Sequence, residues 1–214
     1  MKVTYLAHSS FLLETSGGAR IITDPYEAGG FGGEIGYKPI TEKCDAISIS
    51  HEHADHNWTK DIPGKPTIIK RNNSVWGITF KSISSFHDPI KGKQRGKNTI
   101  FVFNADGINF CHLGDLGHTL NEEYKKKIGL LDVLFLPVGG LFTIGPEEAT
   151  QVMNLLSPKL VIPMHYKTKS IGFHLASVTQ FTKDKKRVKE TGGQGSEITL
   201  PAEQEIWVFT PTLL

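Results

Sequence analysis

SISHEHADHN (Ser48–Asn57) sets three histidines, a glutamate and an aspartate at the end of the alternating apolar run DAISIS (Asp45–Ser50). Imidazoles and carboxylates beside a buried strand are costly unless something compensates them. A metal ion is the usual compensation. The pattern H-x-H-x-D-H puts His51, His53 and Asp55 on one side of an extended segment. The turn after the strand then swings His56 around. This supplies two histidines to one ion and an Asp-His pair to a neighbouring ion. Imidazole and carboxylate together suit zinc, iron or manganese. A solvated turn has no use for four ligand-type side chains in six positions.

One ion needs more ligands than this stretch offers, so distant residues must be recruited. His87 in SFHDP, Asp115 in HLGDLGH and His165 in IPMHYK each follow an apolar run and precede a loop. Strand ends along one edge of a sheet are where sites are assembled.

The first half of the chain reads as strands: KVTYLA, SFLLET, RIITD, DAISIS, TIIK and GITFKSISSF. YEAGGFGGEIGY (26–37) is a glycine-rich loop and KGKQRGKN (91–98) a basic one. TIFVFNADGINFCHLGD predicts a hairpin turning at Asp106-Gly107. The second half alternates. Helices are expected over 119–129, 145–156 and 175–190, with strands DVLFLPV, KLVIPMH, SEITL and EIWVFT between and after them. Helices must cover sheets whose other faces are buried. The expected architecture is a layered α/β sandwich, and no linker divides residues 1–214, so one domain is expected.

Composition sets the frame. A chain of 214 residues is long enough to bury a sizeable core, and 38% hydrophobic with 21% charged residues is ordinary for a globular protein. The net charge of +2 nominates no partner by itself. MKVTYLAHSSFLLE is interrupted by His8 and Glu14 and does not read as a secretion signal. No apolar run spans a bilayer. Cys44 and Cys111 form no ligand pattern or disulfide scaffold, which points to a reducing cytoplasm.

The ordered set of H-x-H-x-D-H, His87, Gly114-Asp115 and a strand-end His165 resembles the metallo-β-lactamase fold superfamily. AHSSF, ITDP, FHDP, HLGDLGH, FLPVGG-x-x-TIGPEEA and IPMHYKT, in that order, resemble its ascorbate-6-phosphate lactonase-like branch. The likeness runs from residue 1 to about Thr168. It implies a four-layer αβ/βα sandwich of two mixed β-sheets flanked by helices, with a two-metal site at one rim. Carried onto this chain, His51, His53 and His87 would bind one ion, Asp55, His56 and His165 the other, and Asp115 would bridge. His87 is preferred to His112, because His112 lies three positions before Asp115 and strand alternation aims those two at opposite faces. Zinc is the first expectation for the two divalent ions, with manganese or iron(II) as alternatives. Two such ions about 3.5–4 Å apart can hold a hydroxide between them, the pKa of its parent water lowered toward ~7.

Further roles follow from the resemblance. Asp55 would orient the nucleophile, and Asp24 in IITDP would fix a ligand histidine through its ring N–H. His8 in AHSSF is a candidate substrate contact, proton donor or extra ligand. His112 and His118 flank Asp115, and His118 is a candidate to face substrate. Tyr166 and Lys167 follow His165 and are candidate pocket residues. Lys93 and Arg95, in the basic loop beyond His87, favour a phosphate or another anion. His174 stands in no motif.

The function expected is metal-dependent hydrolysis of a small phosphorylated, phosphodiester or lactone substrate. Two alternatives remain. A redox di-iron protein would place a glutamate at the second ligand position, where this chain has His53, with Glu52 one place out of register. A non-catalytic RNA- or nucleotide-binding module would use the basic loops, although no aromatic-interleaved basic motif is present.

Overall fold

The computed structural model describes residues 1–214. Its first sheet is built from β1 (Lys2–Ala7), β2 (Ser10–Glu14), β3 (Arg20–Thr23), β4 (Ala46–Ser48), β5 (Thr67–Ile69) and the short β13 (Ser196–Glu197). The second contains β6 (Asn73–Val75), β7 (Ile78–Phe86), β8 (Lys97–Ala105), β9 (Ile108–His112), β10 (Val133–Pro137), β11 (Leu160–Met164), β12 (Val188–Thr191) and β14 (Glu205–Phe209). Spatial order is β13-β1-β2-β3-β4-β5 in one and β12-β14-β11-β10-β9-β8-β7-β6 in the other. Both are mixed: β1, β2 and β3 pair antiparallel before β3-β4-β5 turn parallel. In the second sheet β7-β8-β9 is an antiparallel meander, and β10 and β11 run parallel in register Val133 to Leu160.

Alternation decides which way each strand faces. Val3, Tyr5, Phe11, Leu13, Ile21 and Ala46 enter the main core between the sheets. Their sequence neighbours Leu6, Leu12, Ile22 and Ile47 bury on the outer face, under Tyr26, Ile35, Tyr37 and Ile40. That outer layer is mostly irregular chain with one short turn, α1 (Gly30–Gly33), whose Phe31 and Gly32 stand at positive φ. Strands β10 and β11 are buried along their whole length, as continuous apolar runs require. Helices α2 (Glu122–Ile128), α3 (Pro146–Leu156) and α4 (Val178–Thr182) cover the second sheet from outside. Ala149, Val152, Met153 and Leu156 form the buried stripe of α3.

The Asp106-Gly107 hairpin joins β8 to β9, with both residues at positive φ. The helix expected over 175–190 stops at Thr182, and Val188–Thr191 is instead an edge strand parallel to β14. Lys183, Lys185, Lys186 and Arg187 would crowd like charges at helical spacing, and Arg187 turns to φ 56. The helix expected from Thr119 begins after Asn121, whose side chain accepts from the N–H groups of Glu123 and Tyr124. No helix is long and apolar enough to cross a membrane.

One rim collects the chemistry. The C-terminal ends of β1, β3, β4, β7, β9 and β11 lead directly into His8, Asp24, His51, His87, Asp115 and His165. His8, Asp24 and His165 all sit at positive φ (56, 37 and 53°), so the backbone is strained at three of these exits.

Candidate metal centre

The turn after β4 brings His51, His53, Asp55 and His56 to the rim, and the exits of β7, β9 and β11 bring in His87, Asp115 and His165. Their donor atoms converge. Asp115 lies at the centre: its Oδ1 is 3.1 Å from His56 Nε2, and its Oδ2 is 3.1 Å from His87 Nε2, 3.4 Å from His165 Nε2 and 3.8 Å from His51 Nε2. Two groups of donors, each within 4.8 Å, stand on either side: His51, His53 and His87, and His8, Asp55, His56 and His165.

A metal ion fits this arrangement on one physical observation. His51 Nε2, His56 Nε2, His165 Nε2 and Asp115 Oδ1 are buried with no hydrogen-bond partner, as is Asp55 Oδ1 beside them. Buried polar atoms are otherwise almost always paired. So many orphaned donor atoms facing one spot are the signature of groups whose partner is an ion.

Asp24 sets the orientation of a histidine in each group. It is fully buried, and its carboxylate accepts from Ser50 N at 2.7 Å, Ser50 Oγ at 2.5 Å and His56 Nδ1 at 3.0 Å. A carboxylate accepts only, so His56 carries a proton on Nδ1 and turns Nε2 toward the cluster. Ser50 spends its hydroxyl proton on Asp24. His51 Nδ1, 2.9 Å from Ser50 Oγ, must therefore be the donor there, which again frees Nε2. His87 is fixed the same way by a bond from Nδ1 to the Phe142 carbonyl at 3.1 Å. The sequence nominates Asp24 for this role; Ser50, although it directly precedes His51, is not a ligand type, so sequence reasoning missed its part in the relay.

Asn98 and two glycines support Asp115. Asn98 Oδ1 accepts from Asp115 N at 3.0 Å, and its Nδ2 donates to Ser85 Oγ and Leu113 O. Gly114, at φ +55, lies so close that an added Cβ would sit 2.4 Å from Asn98 Oδ1. A Cβ at Gly117 would lie 2.2 Å from the His87 carbonyl carbon. The GDLG spacing thus lets the β9 exit pass against the neighbouring loops.

Electrostatics follow from burial and from the central carboxylates. Burial opposes ionisation of Asp115, but the imidazoles of His165, His56 and His87 hold it well below the usual carboxylate range. Burial likewise works against a charged His56, yet Asp115 and Asp55 push its pKa well up. Burial, reinforced by His165, lowers His8 to about 4. Burial and the neighbouring His56 lower His51 to about 3.

The remaining candidates separate clearly. His8 Nε2 meets Asp55 Oδ2 at 3.1 Å, and its ring packs on His165 with centroids 4.2 Å apart. His112 donates from Nε2 to Ser9 O at 3.0 Å and accepts from Gly114 N, so both nitrogens are used and it holds the backbone beside the cluster. His118 is a correction: it does not face the cluster. Its nitrogens meet Thr119 O and Phe86 N, and its ring packs against Phe86 and Tyr124. Tyr166 also departs from expectation, since its hydroxyl donates to Phe209 O inside the core. Lys167 is turned onto the carbonyls of Ile171, Gly172 and Phe173 and holds that loop rather than lining the pocket. Strand-end position alone could not show that these side chains turn inward. Lys93 is exposed and lines neither hollow beside the cluster, whereas Arg95 lines both. The loop that carries Arg95 is wound around Asp88, whose carboxylate accepts from the N–H groups of Ile90, Gly92, Gln94 and Arg95.

Two mixed sheets with a histidine-aspartate cluster at one rim define a protein of the metallo-β-lactamase fold. The sequence profile of the β-lactamase superfamily domain matches residues 2–165, and the chain belongs to that family. A UPF0173 metal-dependent hydrolase of Thermococcus onnurineus is 32% identical, with 78% of this chain and 85% of that protein aligned. One from Pelotomaculum thermopropionicum is 30% identical over the same shares. Among solved structures, a Thermotoga maritima protein assigned to the Zn-dependent hydrolases of the metallo-β-lactamase superfamily is 37% identical. It superposes with a TM-score of 0.80 over 97% of both chains. These matches carry the superfamily rather than the lactonase-like branch. An isothiocyanate hydrolase from Delia radicum gut bacteria, 18% identical with a TM-score of 0.59 over 86% of this chain and 90% of that one, shares the fold.

Proposed function

We propose that this chain is a metal-dependent hydrolase whose rim cluster holds two divalent ions. His51, His53 and His87 would hold one, Asp55, His56 and His165 the other, with Asp115 between them. The observation that carries this reading is the set of orphaned buried nitrogens and oxygens aimed at one place. When bound, such a pair supplies Lewis-acid polarisation of the bond under attack and a reactive water at neutral pH. The names of the relatives support the hydrolase class.

The chain's own residues have defined tasks in this reading. Asp24 and Ser50 keep Nε2 of His51 and His56 unprotonated toward the ions. Asp115 supplies the central negative charge. With its pKa lowered to about 4, His8 is neutral near pH 7, and the proton on its Nε2 is committed to Asp55 Oδ2. His8 thus acts on Asp55, fixing its carboxylate beside His56, rather than as the acid for a leaving group. Glu52 is bonded outward to Lys70 Nζ and Asn57 Nδ2, which speaks against a glutamate ligand of the di-iron kind. The substrate class is a small phosphorylated, phosphodiester or lactone molecule, with Arg95 as the cation beside the cluster.

The test is hydrolysis of a panel of phosphodiesters, lactones and thioesters by metal-loaded protein, alongside His53→Ala. Activity confined to the loaded parent is expected. A His53→Ala protein as active as the parent would remove the reading.

A further inference from the structure

Two hollows adjoin His53. One, of about 270 Å³, is walled by Phe31, Phe142 and Phe173 with Arg95, and its floor includes Asp55 and Asp115. Its rings form one continuous surface. Phe31 meets Phe173 with centroids 5.7 Å apart, and Phe173 meets Phe142 at 5.1 Å, both edge to face. The other, of about 410 Å³, is walled by Lys70, Arg95 and Lys97 together with His51 and His53. Arg95 and His53 line both, so the hollows adjoin at these two side chains. Glu52 neutralises Lys70, while Lys97 forms no ion pair.

The loops that shape the aromatic hollow are strained and poorly repaid by burial. Phe31, in the glycine-rich loop, stands at φ +53 with 50% of its surface exposed. Leu141, beside Phe142, stands at φ +60 with 53% exposed. Large side chains avoid this left-handed conformation. The kink at Leu141 also aims its carbonyl at Arg95 Nη2, 3.1 Å away. Strain that recurs around a pocket points to a ligand. A hollow of this size sits just under the range that holds drug-sized ligands, with room for one ring and a short arm.

Resting on the hydrolase reading above, we infer that the substrate is a small amphipathic anion. Its flat apolar group, an aryl ring in the first instance, stacks among Phe31, Phe142 and Phe173. Its anionic group sits against Arg95 and Lys97 on the other side of His53. The scissile bond then lies between the two, over the cluster.

The test is calorimetric titration of metal-loaded protein with phenylphosphonate, methylphosphonate and benzyl alcohol. Phenylphosphonate should bind at least about tenfold tighter than methylphosphonate, through ring burial and stacking. That ratio should fall toward one in Phe173→Ala and in Phe31→Ala, the second being a change at a half-exposed side chain. Lys97→Gln should weaken both phosphonates by one common factor and leave benzyl alcohol unchanged. Equal affinity for the two phosphonates in the parent, a ratio that survives both phenylalanine variants, or no effect of Lys97→Gln overturns the inference. Metal content measured on the same samples separates the two failures, since a chain that binds no ion sinks the hydrolase reading, whereas a lost aryl preference with ions bound sinks only this one.

Discussion

Replacing Asp24 by asparagine changes one atom and should disable a histidine it never joins in metal binding. The carboxylate accepts three hydrogen bonds, from Ser50 N, Ser50 Oγ and His56 Nδ1. Ser50 N–H can only donate, so the oxygen of the substituted amide must face it. The amide N–H₂ then faces His56 Nδ1, and the imidazole escapes a donor-donor clash by moving its proton to Nε2. That nitrogen lies 3.1 Å from Asp115 Oδ1, so the carboxylate holds the proton there and the ring loses its free donor lone pair. Recovering the ligating tautomer forfeits a hydrogen bond to a charged group, about 1.5–3 kcal/mol. Metal affinity should accordingly fall roughly 10- to 150-fold, overlapping the roughly 10- to 100-fold losses known for residues that orient ligands. The assay is competition of Asp24→Asn against a chromophoric chelator, with circular dichroism as the folding control. A folded variant with parental affinity would refute the relay of Asp24, Ser50, His51 and His56.

Three other outcomes follow. Gly117→Ala drives a Cβ to 2.2 Å from the His87 carbonyl carbon, so it should cost about 1–3 kcal/mol of stability in urea unfolding and weaken metal binding; a variant with parental values contradicts the packing. The metal-free protein should be acid-sensitive well above the carboxylate range. His8 and His51 have lowered pKa values, about 4 and about 3, so their contribution is complete above the unfolded pKa near ~6.5 and is lost as pH falls below it. For His8 alone the linkage amounts to roughly 2 kcal/mol between pH 7 and pH 5. The raised pKa of His56 works the other way but is outweighed by His8 and His51 together, so a lower urea midpoint is expected at pH 5, and equal midpoints would count against it. Burial raises the Cys44 thiol to about 11 and pushes Cys111 up further, so both should resist a disulfide reagent at pH 8 in native protein and react promptly in guanidinium.

How much of this was legible depended on range along the chain. His51, His53, Asp55 and His56 lie within six positions, and spacing alone announces them. His87, Asp115 and His165 were legible as strand-end residues, because alternation and apolar runs mark where β7, β9 and β11 stop. Lys167 and Tyr166 share that neighbourhood and yet turn to backbone carbonyls, a choice made by the folded loops. His118 follows Asp115 closely but is captured by Phe86 and Tyr124. Ser50, Asp88 and Asn98 act through contacts with distant segments, which no local pattern encodes. The aromatic hollow is the extreme case, since Phe31, Phe142 and Phe173 come from three loops far apart in the sequence. Net helix content was over-read after residue 182, where a lysine-rich segment that looks amphipathic runs into an edge strand.

The most direct measurement is elemental analysis of protein loaded with a divalent ion and dialysed free of excess. The account predicts two ions per folded chain, falling in His56→Ala and in Asp115→Asn. A folded parent chain that retains no ion, or variants that keep the full complement, would contradict it.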